Sequence, residues 1–511
     1  MKKAKGFFAS RGFSSGVVTA LVIAMVIVAN IIIYTLTALF GLYIYSPLER
    51  DYGITGVTDS LFREAEEKGE TLTVTFLSAK DDVRNHVTGS YVLETAEAYA
   101  EKYSFVDLKF VNLLTKMDED NKIVRLEKYQ KDMRGNPVEL RTHSIIFSYG
   151  EGSEENYKVL TDTYSTAGYA DFYTLDNSGT AYAYNGEEVF AAMMSWVLHE
   201  EHKVVYFTEN HGETIDVSFS NLLASAGYYV DVINLRNEWV PTGEDSEVAF
   251  VAISNPISDF EKAAEVSDYK AEIQRLESYL DKGGKLYVAI DPYGPRLDNL
   301  EGLLAEYGIV LSGKDGEYGY SRELVVDPSE AIAIDGMSFI ASFGTGTTAS
   351  AISNNFKEYT SGRVLLSEVA KLELDSSKGA EALLFSSPSS MVLWEGDTVS
   401  ESGNYAVCAA STKDEAGGLK STVFVSPTVL MTNADLLVAG GYSNKDFMYS
   451  TLHELFDSAT AIYGTKSIMY DSGIVENLTQ RSATVYTVIL LLIPVALAVT
   501  GAVVVIRRKR R

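Results

Sequence analysis

The chain has 511 residues, 46% of them hydrophobic, and carries 43 basic against 70 acidic side chains, a net charge of −27. This composition is typical of a globular protein of roughly two to four domains rather than of a disordered chain. The acidic balance repels nucleic acid and anionic lipid, so we expect no nucleic-acid partner and no polyanionic substrate. The single cysteine, Cys408, cannot form an internal disulfide, so the fold must depend on its hydrophobic core.

The N-terminal end predicts a membrane anchor. Residues 17–42 contain no charged side chain and exceed the roughly 20 residues that cross a bilayer. A cleaved signal peptide is the alternative, but its apolar run would be roughly 7 to 15 residues, and no small-residue cleavage site follows here. We expect a basic cytoplasmic N-terminus at 1–16, an uncleaved transmembrane helix at 17–42 and a juxtamembrane linker at 43–70.

Residues 71–185 predict a first α/β domain. The expected strands are 71–76, 106–111, 144–148 and 157–160, and the expected helices are 91–103 and 122–129. This β-α-β-α-β-β order is thioredoxin-like in outline. No Cys-x-x-Cys pair accompanies it, which excludes thiol redox chemistry.

Residues 186–470 predict a second α/β domain, organised around a short apolar strand at 204–207. The segments after this strand alternate: helix 218–226, strand 229–235, strand 248–253, helix 264–280, strand 285–290 and helix 297–307. Further strands are expected at 363–366, 381–385, 405–409 and 421–426, and a last helix at 445–458. Strand and helix alternation with short connections predicts a doubly wound parallel sheet.

The turn that follows the strand 204–207 is the best candidate for a functional site. Ligands of open α/β sheets bind where the carboxyl ends of the strands meet. Here Asn210 and Gly212 suit positive φ, His211 titrates near neutrality, and Glu213 stands where a helix can begin. Asn255 and Asp291 end neighbouring strands. The predicted small-molecule or peptide site consists of five residues, namely Asn210, His211, Glu213, Asn255 and Asp291, and a purely conformational turn is the alternative.

Other patterns that suggest chemistry have structural explanations. The run His199-Glu200-Glu201-His202 differs from the His-Glu-x-x-His zinc motif, and its imidazoles stand where a helix ends, close to the terminal carbonyls. Cys408 lies in an apolar run, as a buried structural thiol does. The chain contains neither a P-loop nor a Gly-x-Ser-x-Gly elbow. We therefore expect no catalytic residue, no metal site and no cofactor.

The C-terminal end predicts a second anchor. After a linker at 471–484, residues 485–506 form a run without charged side chains, followed by a basic tail at 507–511. Basic residues flank the outer end of each span, which places both termini in the cytoplasm. The prediction is a two-pass protein of the cell membrane with a large domain outside.

Four features in this order resemble a known family. The first is the helix that begins Asn-Gly-Glu-Glu and leads to a strand and His-Gly-Glu (184–213). The second is Asn255-Pro256, followed later by Gly283-Gly284 and Asp291-Pro292. The third is Leu303-Leu304 with Tyr307-Gly308-Ile309, and the fourth is a terminal helix with Pro494 and a basic tail. The chain thereby resembles, over most of 70–511, the auxiliary membrane subunits of bacterial ABC transporters typified by the gliding-motility-associated transporter protein. Members usually carry Gly before His-Gly-Glu, and Asn210 can adopt the same left-handed conformation.

The resemblance implies a non-enzymatic ectodomain anchored beside a multi-span permease, and that permease is driven by a separate cytoplasmic ATPase. It also implies that the second domain is like a class I glutamine-amidotransferase sheet without the catalytic cysteine. The expected function is an accessory subunit that binds a substrate or partner, with a cell-wall or small-molecule ligand. The alternatives are a surface hydrolase or amidotransferase-like enzyme using His211 and Glu213, and a receptor, which the short cytoplasmic ends disfavour.

Overall fold

The structure is a computed structural model. It describes residues 54–469 apart from 153–154, 162–168, 176–180, 200, 244–245, 263–270, 318, 401, 438–440, 459–461 and 466. The predicted anchors at 17–42 and 485–506, with their flanks at 1–16, 471–484 and 507–511, lie outside the described residues. Among the residues described, no helix is long and apolar enough to cross a bilayer. All of these described residues belong to one compact unit.

The first sheet contains the four strands predicted for it and one short additional strand. Its elements are helix α1 (Gly56–Lys68), β1 (Leu72–Phe76), α2 (Lys80–Asn85), α3 (Gly89–Lys102), β2 (Val106–Asn112), β3 (Met117–Asp118), β4 (Ile145–Tyr149) and β5 (Asn156–Leu160). The strands lie in the order β3-β2-β1-β4-β5. β1 pairs parallel with β2 and antiparallel with β4, and β4 and β5 form an antiparallel hairpin. Alternate residues of β1 are buried, because helices cover one face of this sheet.

The helix expected at 122–129 is wrong. The carboxylate of Asp118 accepts hydrogen bonds from the backbone N–H groups of Asp120 and Lys122, and Asn121 adopts a left-handed φ of 59°. These local bonds close a turn, and side chains that bond nearby backbone compete with helix formation. Only Glu127–Gln130 coils, as a short 3₁₀ helix.

A buried helix connects the two main sheets. α4 (Gly186–Leu198) follows a small sheet made of β6 (Tyr173–Leu175), β7 (Ala181–Tyr184) and β25 (Ile468–Met469). Although the sequence places this helix at the start of the second domain, it packs on β4 and β5 of the first sheet. The ring of Phe190 stacks on Tyr99 at 5.0 Å and meets Phe147 edge-on at 5.3 Å. The helix is therefore part of the core of the first sheet as well.

The second sheet contains eleven strands. In chain order they are β8 (Val204–Thr208), β9 (Tyr229–Ile233), β10 (Val248–Ser254), β11 (Lys285–Ala289), β12 (Ile309–Leu311), β16 (Ser338–Phe343), β17 (Val364–Ser367), β19 (Leu372–Leu374), β20 (Ala380–Phe385), β23 (Ala406–Asp414) and β24 (Lys420–Ser426). Its helices are α5 (Val217–Ser225), α6 (Glu272–Leu280), α7 (Asp298–Glu306), α8 (Thr347–Phe356), α9 (Ala434–Leu437) and α10 (Asn444–Phe456).

This sheet is mixed, which corrects the expectation of a wholly parallel one. The order along its main path is β17-β16-β20-β23-β24-β11-β10-β8-β9. The strands from β24 to β9 pair parallel, whereas β24, β23, β20, β16 and β17 pair antiparallel in turn. The connection 415–419 between β23 and β24 is too short for a crossover, and a connection of that length joins antiparallel neighbours.

Helices cover both faces of the parallel half. Val251 and Val288 point to the face where Leu276 of α6 and Leu303 of α7 complete one buried cluster. Their neighbours point the other way: Tyr287 meets Phe219 of α5 at 4.9 Å. Because successive strand residues alternate between faces, strands buried on both sides must be apolar throughout, as these sequences are.

Two small sheets complete the described fold. One is the hairpin of β13 (Gly313–Gly316) and β14 (Gly319–Arg322), and the other contains β15 (Leu324–Val326), β18 (Val369–Ala370), β21 (Met391–Trp394) and β22 (Asp397–Thr398). Arg322, at the end of β14, is buried, and its guanidinium donates to the carbonyls of Asp291 and Gly294 and to Glu301. This arginine fastens the hairpin to the carboxyl end of β11.

Candidate functional site

The predicted turn lies at the carboxyl end of β8, as the sequence requires. Asn210 and Gly212 both have left-handed backbone conformations, with φ of 84° and 75°. The predicted positive φ at these two positions is therefore confirmed. Gly212 has a second reason to be glycine, because a Cβ at this position would overlap the side chain of Ile257. The carbonyl of His211 accepts N–H bonds from Ile257 and Ser258, which attaches the turn to the loop after β10.

His211 is held between two carboxylates. Its Nδ1 lies 2.8 Å from Oε1 of Glu213, and its Nε2 lies 3.0 Å from Oε2 of Glu272. Its backbone N–H also donates to Oε2 of Glu213 at 2.7 Å. The imidazole is 0% exposed and stacks on the ring of Phe260, with 3.8 Å between the centroids. Every face and both nitrogens of the ring are thus occupied by protein.

Glu272 completes the cluster and was not among the predicted site residues. It begins α6, is 0% exposed and accepts the backbone N–H of Glu261 at 2.8 Å. Nε of Arg236 lies 3.5 Å from its other carboxylate oxygen, an ion pair without hydrogen-bond geometry. The sequence does indicate that Glu272 is buried, because this residue shares one helical face with the buried Leu276 and Tyr279.

The electrostatics of the cluster favour a charged imidazole. Burial opposes the charge on His211, but the bonds to Glu213 and Glu272 outweigh it and raise the pKa to about 9. The pKa of Glu213 is affected by the same pair: burial raises it, and the bond to His211 contributes to a net lowering. With Arg236 included, the four charges sum to zero.

This arrangement limits the chemistry of His211. A protonated imidazole donates from both nitrogens and keeps no lone pair for a proton or a metal ion. A general base or a metal ligand needs that lone pair. In the folded state, His211 and Glu213 therefore join the turn, the loop after β10 and the start of α6, and neither ring nitrogen faces a ligand.

Asn255 lies beside the turn, whereas Asp291 serves its own loop. Asn255 has a φ of 55°, and its side-chain amide donates to the Thr214 hydroxyl at 3.0 Å. Asp291 caps the next turn by accepting the N–H of Tyr293 at 2.9 Å. The structure thus brings together Asn210, His211, Glu213 and Asn255. The side-chain bond of Asp291 stays within the loop after β11.

Two further sequence features have structural roles, and of the two imidazoles only that of His199 bonds a terminal carbonyl of the preceding helix as expected. Nδ1 of His199 lies 2.7 Å from the carbonyl of Ser195 at the end of α4. His202 stacks on Trp196 at 3.8 Å and directs Nδ1 to the carbonyl of Gly227. Cys408 is fully buried in β23, and burial raises the pKa of its thiol well above the usual range.

Comparison with known proteins leaves the family of this chain open. No protein-family model and no curated protein matches it. Among solved structures, the N-terminal domain of mmIFT52 is 18% identical with a TM-score of 0.36, covering 49% of this chain and 97% of that one. A ThuA-like protein from Bacteroides uniformis is 12% identical with a TM-score of 0.31, covering 51% and 95%. PurLQS from Thermotoga maritima is 12% identical with a TM-score of 0.26, covering 49% and 98%. Scores this low support no conclusion about function.

Proposed function

We propose that this chain is a non-enzymatic, membrane-anchored accessory subunit of an ABC transporter, which acts with a separate permease and a cytoplasmic ATPase. The observation that carries the proposal is the state of His211. The side chain best placed for chemistry at the carboxyl edge of the sheet is buried and bonded to a carboxylate at each nitrogen. A turn whose histidine has both ring nitrogens bonded within the protein suits a binding or scaffolding protein better than an enzyme.

The membrane part of the proposal comes from the sequence. The charge-free stretches at 17–42 and 485–506 and their basic flanks fit two anchors with both termini in the cytoplasm. In that topology the two α/β layers face the outside of the cell, where they contact a substrate, the cell wall or a partner. In the proposed complex the ATPase acts through the permease.

The proposal also includes a likeness of each α/β layer to a known fold. The pairing of β2, β1, β4 and β5 fits a thioredoxin-like outline for the first layer. The parallel half of the second sheet, with helices on both faces, fits a sheet like that of the glutamine amidotransferases. In this interpretation the second layer keeps the architecture of an enzyme and has lost its nucleophile, since Cys408 is buried in an antiparallel strand.

The hydrolase or amidotransferase alternative requires an available base at His211 and an activated nucleophile. The bonds to Glu213 and Glu272 occupy both ring nitrogens, so this alternative requires the cluster to open. Hydrolysis by the purified protein that disappears in a His211→Ala variant would favour it.

Affinity purification tests the accessory role. The full-length protein is extracted from its native membrane in mild detergent, and the proteins recovered with it are identified by mass spectrometry. We expect an ABC ATPase and a multi-span permease in stoichiometric amounts, absent when an unrelated two-pass protein is purified in the same way. Recovery of this protein alone in several detergents would overturn the proposal.

A further inference from the structure

A cleft of about 720 Å³ lies at the amino-terminal ends of the parallel strands. Its lining includes Lys203, Tyr229, Val248 and Lys285, which begin or directly precede β8, β9, β10 and β11. The volume falls within the roughly 300 to 1,000 Å³ of small-molecule sites in proteins. The cleft is therefore large enough for a metabolite, and it lies at the opposite end of the strands from the His211 turn.

Two of the basic side chains in the cleft already have acidic partners. The guanidinium of Arg134 lies 3.6 Å from a carboxylate oxygen of Glu247 and also covers the ring of Tyr229 at 4.6 Å. Nζ of Lys285 lies 2.5 Å from the carboxylate of Asp457. These pairs fix the two sides of the cleft, and their charges cancel.

Lys203 and Lys282 differ from these pairs. Both line the cleft and are exposed, and neither has an ion pair or side-chain hydrogen bond with any residue that the structure describes. Lys203 is also close enough to Lys285 to disfavour the charge on that lysine. The lining of the cleft carries four basic side chains, Arg134, Lys203, Lys282 and Lys285, against three acidic ones, Glu201, Glu247 and Asp457. It is therefore net basic by one charge, in a chain whose net charge is −27. Opposite charge on a small molecule would offset the repulsion between Lys203 and Lys285.

Both layers of the protein build the cleft. Met133 and Arg134 come from the loop between β3 and β4 of the first sheet, and the other lining residues follow from α4 onward. Burial of a ligand between two layers is a common arrangement for small-molecule sites.

We propose that this cleft binds a small molecule carrying oxyanion groups, either phosphate or carboxylate, through the ammonium groups of Lys203 and Lys282. This departs from the expectation of no polyanionic substrate, which rests on the net charge of the whole chain, because the lining of the cleft is net basic. The Tyr229 ring and its covering Arg134 form the firm wall against which the body of the ligand rests. The proposal goes beyond the accessory role and uses none of the residues of the His211 cluster. Each can therefore fail without the other.

Isothermal titration of the full-length protein in detergent tests the proposal. The probes are inorganic pyrophosphate and citrate, which separate phosphate from carboxylate recognition. We expect saturable binding of at least one probe, weakened by added salt because the contacts are ionic. In the double variant Lys203→Gln/Lys282→Gln, the dissociation constant should rise about a hundredfold, since two charged hydrogen bonds are lost and each costs about a tenfold factor.

A matched variant controls for net charge. Lys109 and Lys357 are exposed lysines of other surfaces, so Lys109→Gln/Lys357→Gln removes the same charge and should bind the probes as the wild type does. All three proteins should have the same unfolding midpoint. The proposal is overturned if neither probe binds at millimolar concentration, or if the two double variants bind a probe equally well.

Discussion

Nε2 of His211 lies 3.0 Å from Oε2 of Glu272, and neither side chain is exposed to solvent. The two residues are 61 positions apart, at the end of a strand and at the start of a helix. Removing one partner of a buried ion pair leaves an uncompensated charge in the interior, which is strongly destabilising. This contact therefore makes the turn after β8 depend on the position of α6.

The substitution Glu272→Gln keeps the size of the side chain and removes its charge. We expect the free energy of unfolding to fall by about 3 kcal/mol, because the imidazolium keeps only one carboxylate partner. Urea denaturation followed by fluorescence measures the loss. Glu277→Gln on the same helix is the control, since this partly exposed carboxylate has no ion pair among the described residues, and it should change stability by no more than about 0.5 kcal/mol. Equal effects of the two substitutions would contradict a structural role for Glu272.

The raised pKa of His211 predicts a pH dependence of stability. Its pKa is about 9 in the folded protein against about 6.5 in the unfolded chain. The folded state therefore binds the proton more tightly, and its contribution is complete below about pH 6.5 and lost as the pH rises through about 9. The amount is on the order of 3 kcal/mol. We expect His211→Gln to remove this decline from the curve of unfolding free energy against pH.

The pKa of His202 is shifted in the opposite direction to that of His211, so its effect on stability against pH has the opposite sign. Burial lowers the pKa of its imidazole to about 4, so between about pH 4 and 6.5 the unfolded chain binds more protons than the folded one. Stability contributed by this site therefore rises with pH across that interval. His202→Gln should flatten the curve on the acidic side only. If His211→Gln instead changed the unfolding free energy on the acidic side of the curve and left the alkaline side unchanged, the raised pKa of His211 would be wrong.

The substitution Gly212→Ala tests whether the positive φ and the close contact with Ile257 require glycine at this position. The substitution places a Cβ at a positive φ and against Ile257, so we expect a loss of about 2 to 4 kcal/mol from strain and overlap together. Gly396→Ala is the matched control: its φ of 87° is similar, yet a Cβ there meets nothing within 4 Å. It should cost only about 1 kcal/mol. The additional loss at Gly212 should diminish in the double variant Gly212→Ala/Ile257→Ala, and an unchanged loss would exclude the overlap as its cause.

Cys408 should behave as a structural thiol. Its side chain is fully buried, and burial raises its pKa, so the reactive thiolate is scarce in the native protein. We expect a thiol reagent to label no cysteine under native conditions and one cysteine per chain in denaturant. Rapid stoichiometric labelling of the native protein would show an accessible thiol and reopen nucleophilic chemistry.

The sequence predicted the parts of the fold that depend on local patterns. Short apolar strands such as Val204–Thr208 predict burial on both faces of a sheet, and Asn210 and Gly212 predict left-handed backbone conformations in a turn. The alternation of strand and helix around β8 to β11 follows from the same signals. Each of these features is set within a window of a few residues.

What the sequence did not predict depends on contacts between distant segments. The partner of His211 is Glu272, and nothing near the turn indicates a carboxylate from another helix. The antiparallel half of the sheet was not recognised because β20, β23 and β24 contain short apolar runs like those of parallel strands. At 122–129, the carboxylate of Asp118 overrode a weak helical pattern. The cleft at the amino-terminal edge combines two layers, so its residues share no motif.

The protonation state of His211 distinguishes a structural turn from a reactive site most directly. The chain has six histidines, and nuclear magnetic resonance of histidine-labelled protein can follow each imidazole against pH, with His211→Gln assigning the signal. We predict a midpoint of about pH 9 and a protonated ring at neutral pH. A midpoint at or below about 6.5 would mean that the ring has a free lone pair at neutral pH. That result would contradict the buried cluster and, with it, the non-enzymatic role.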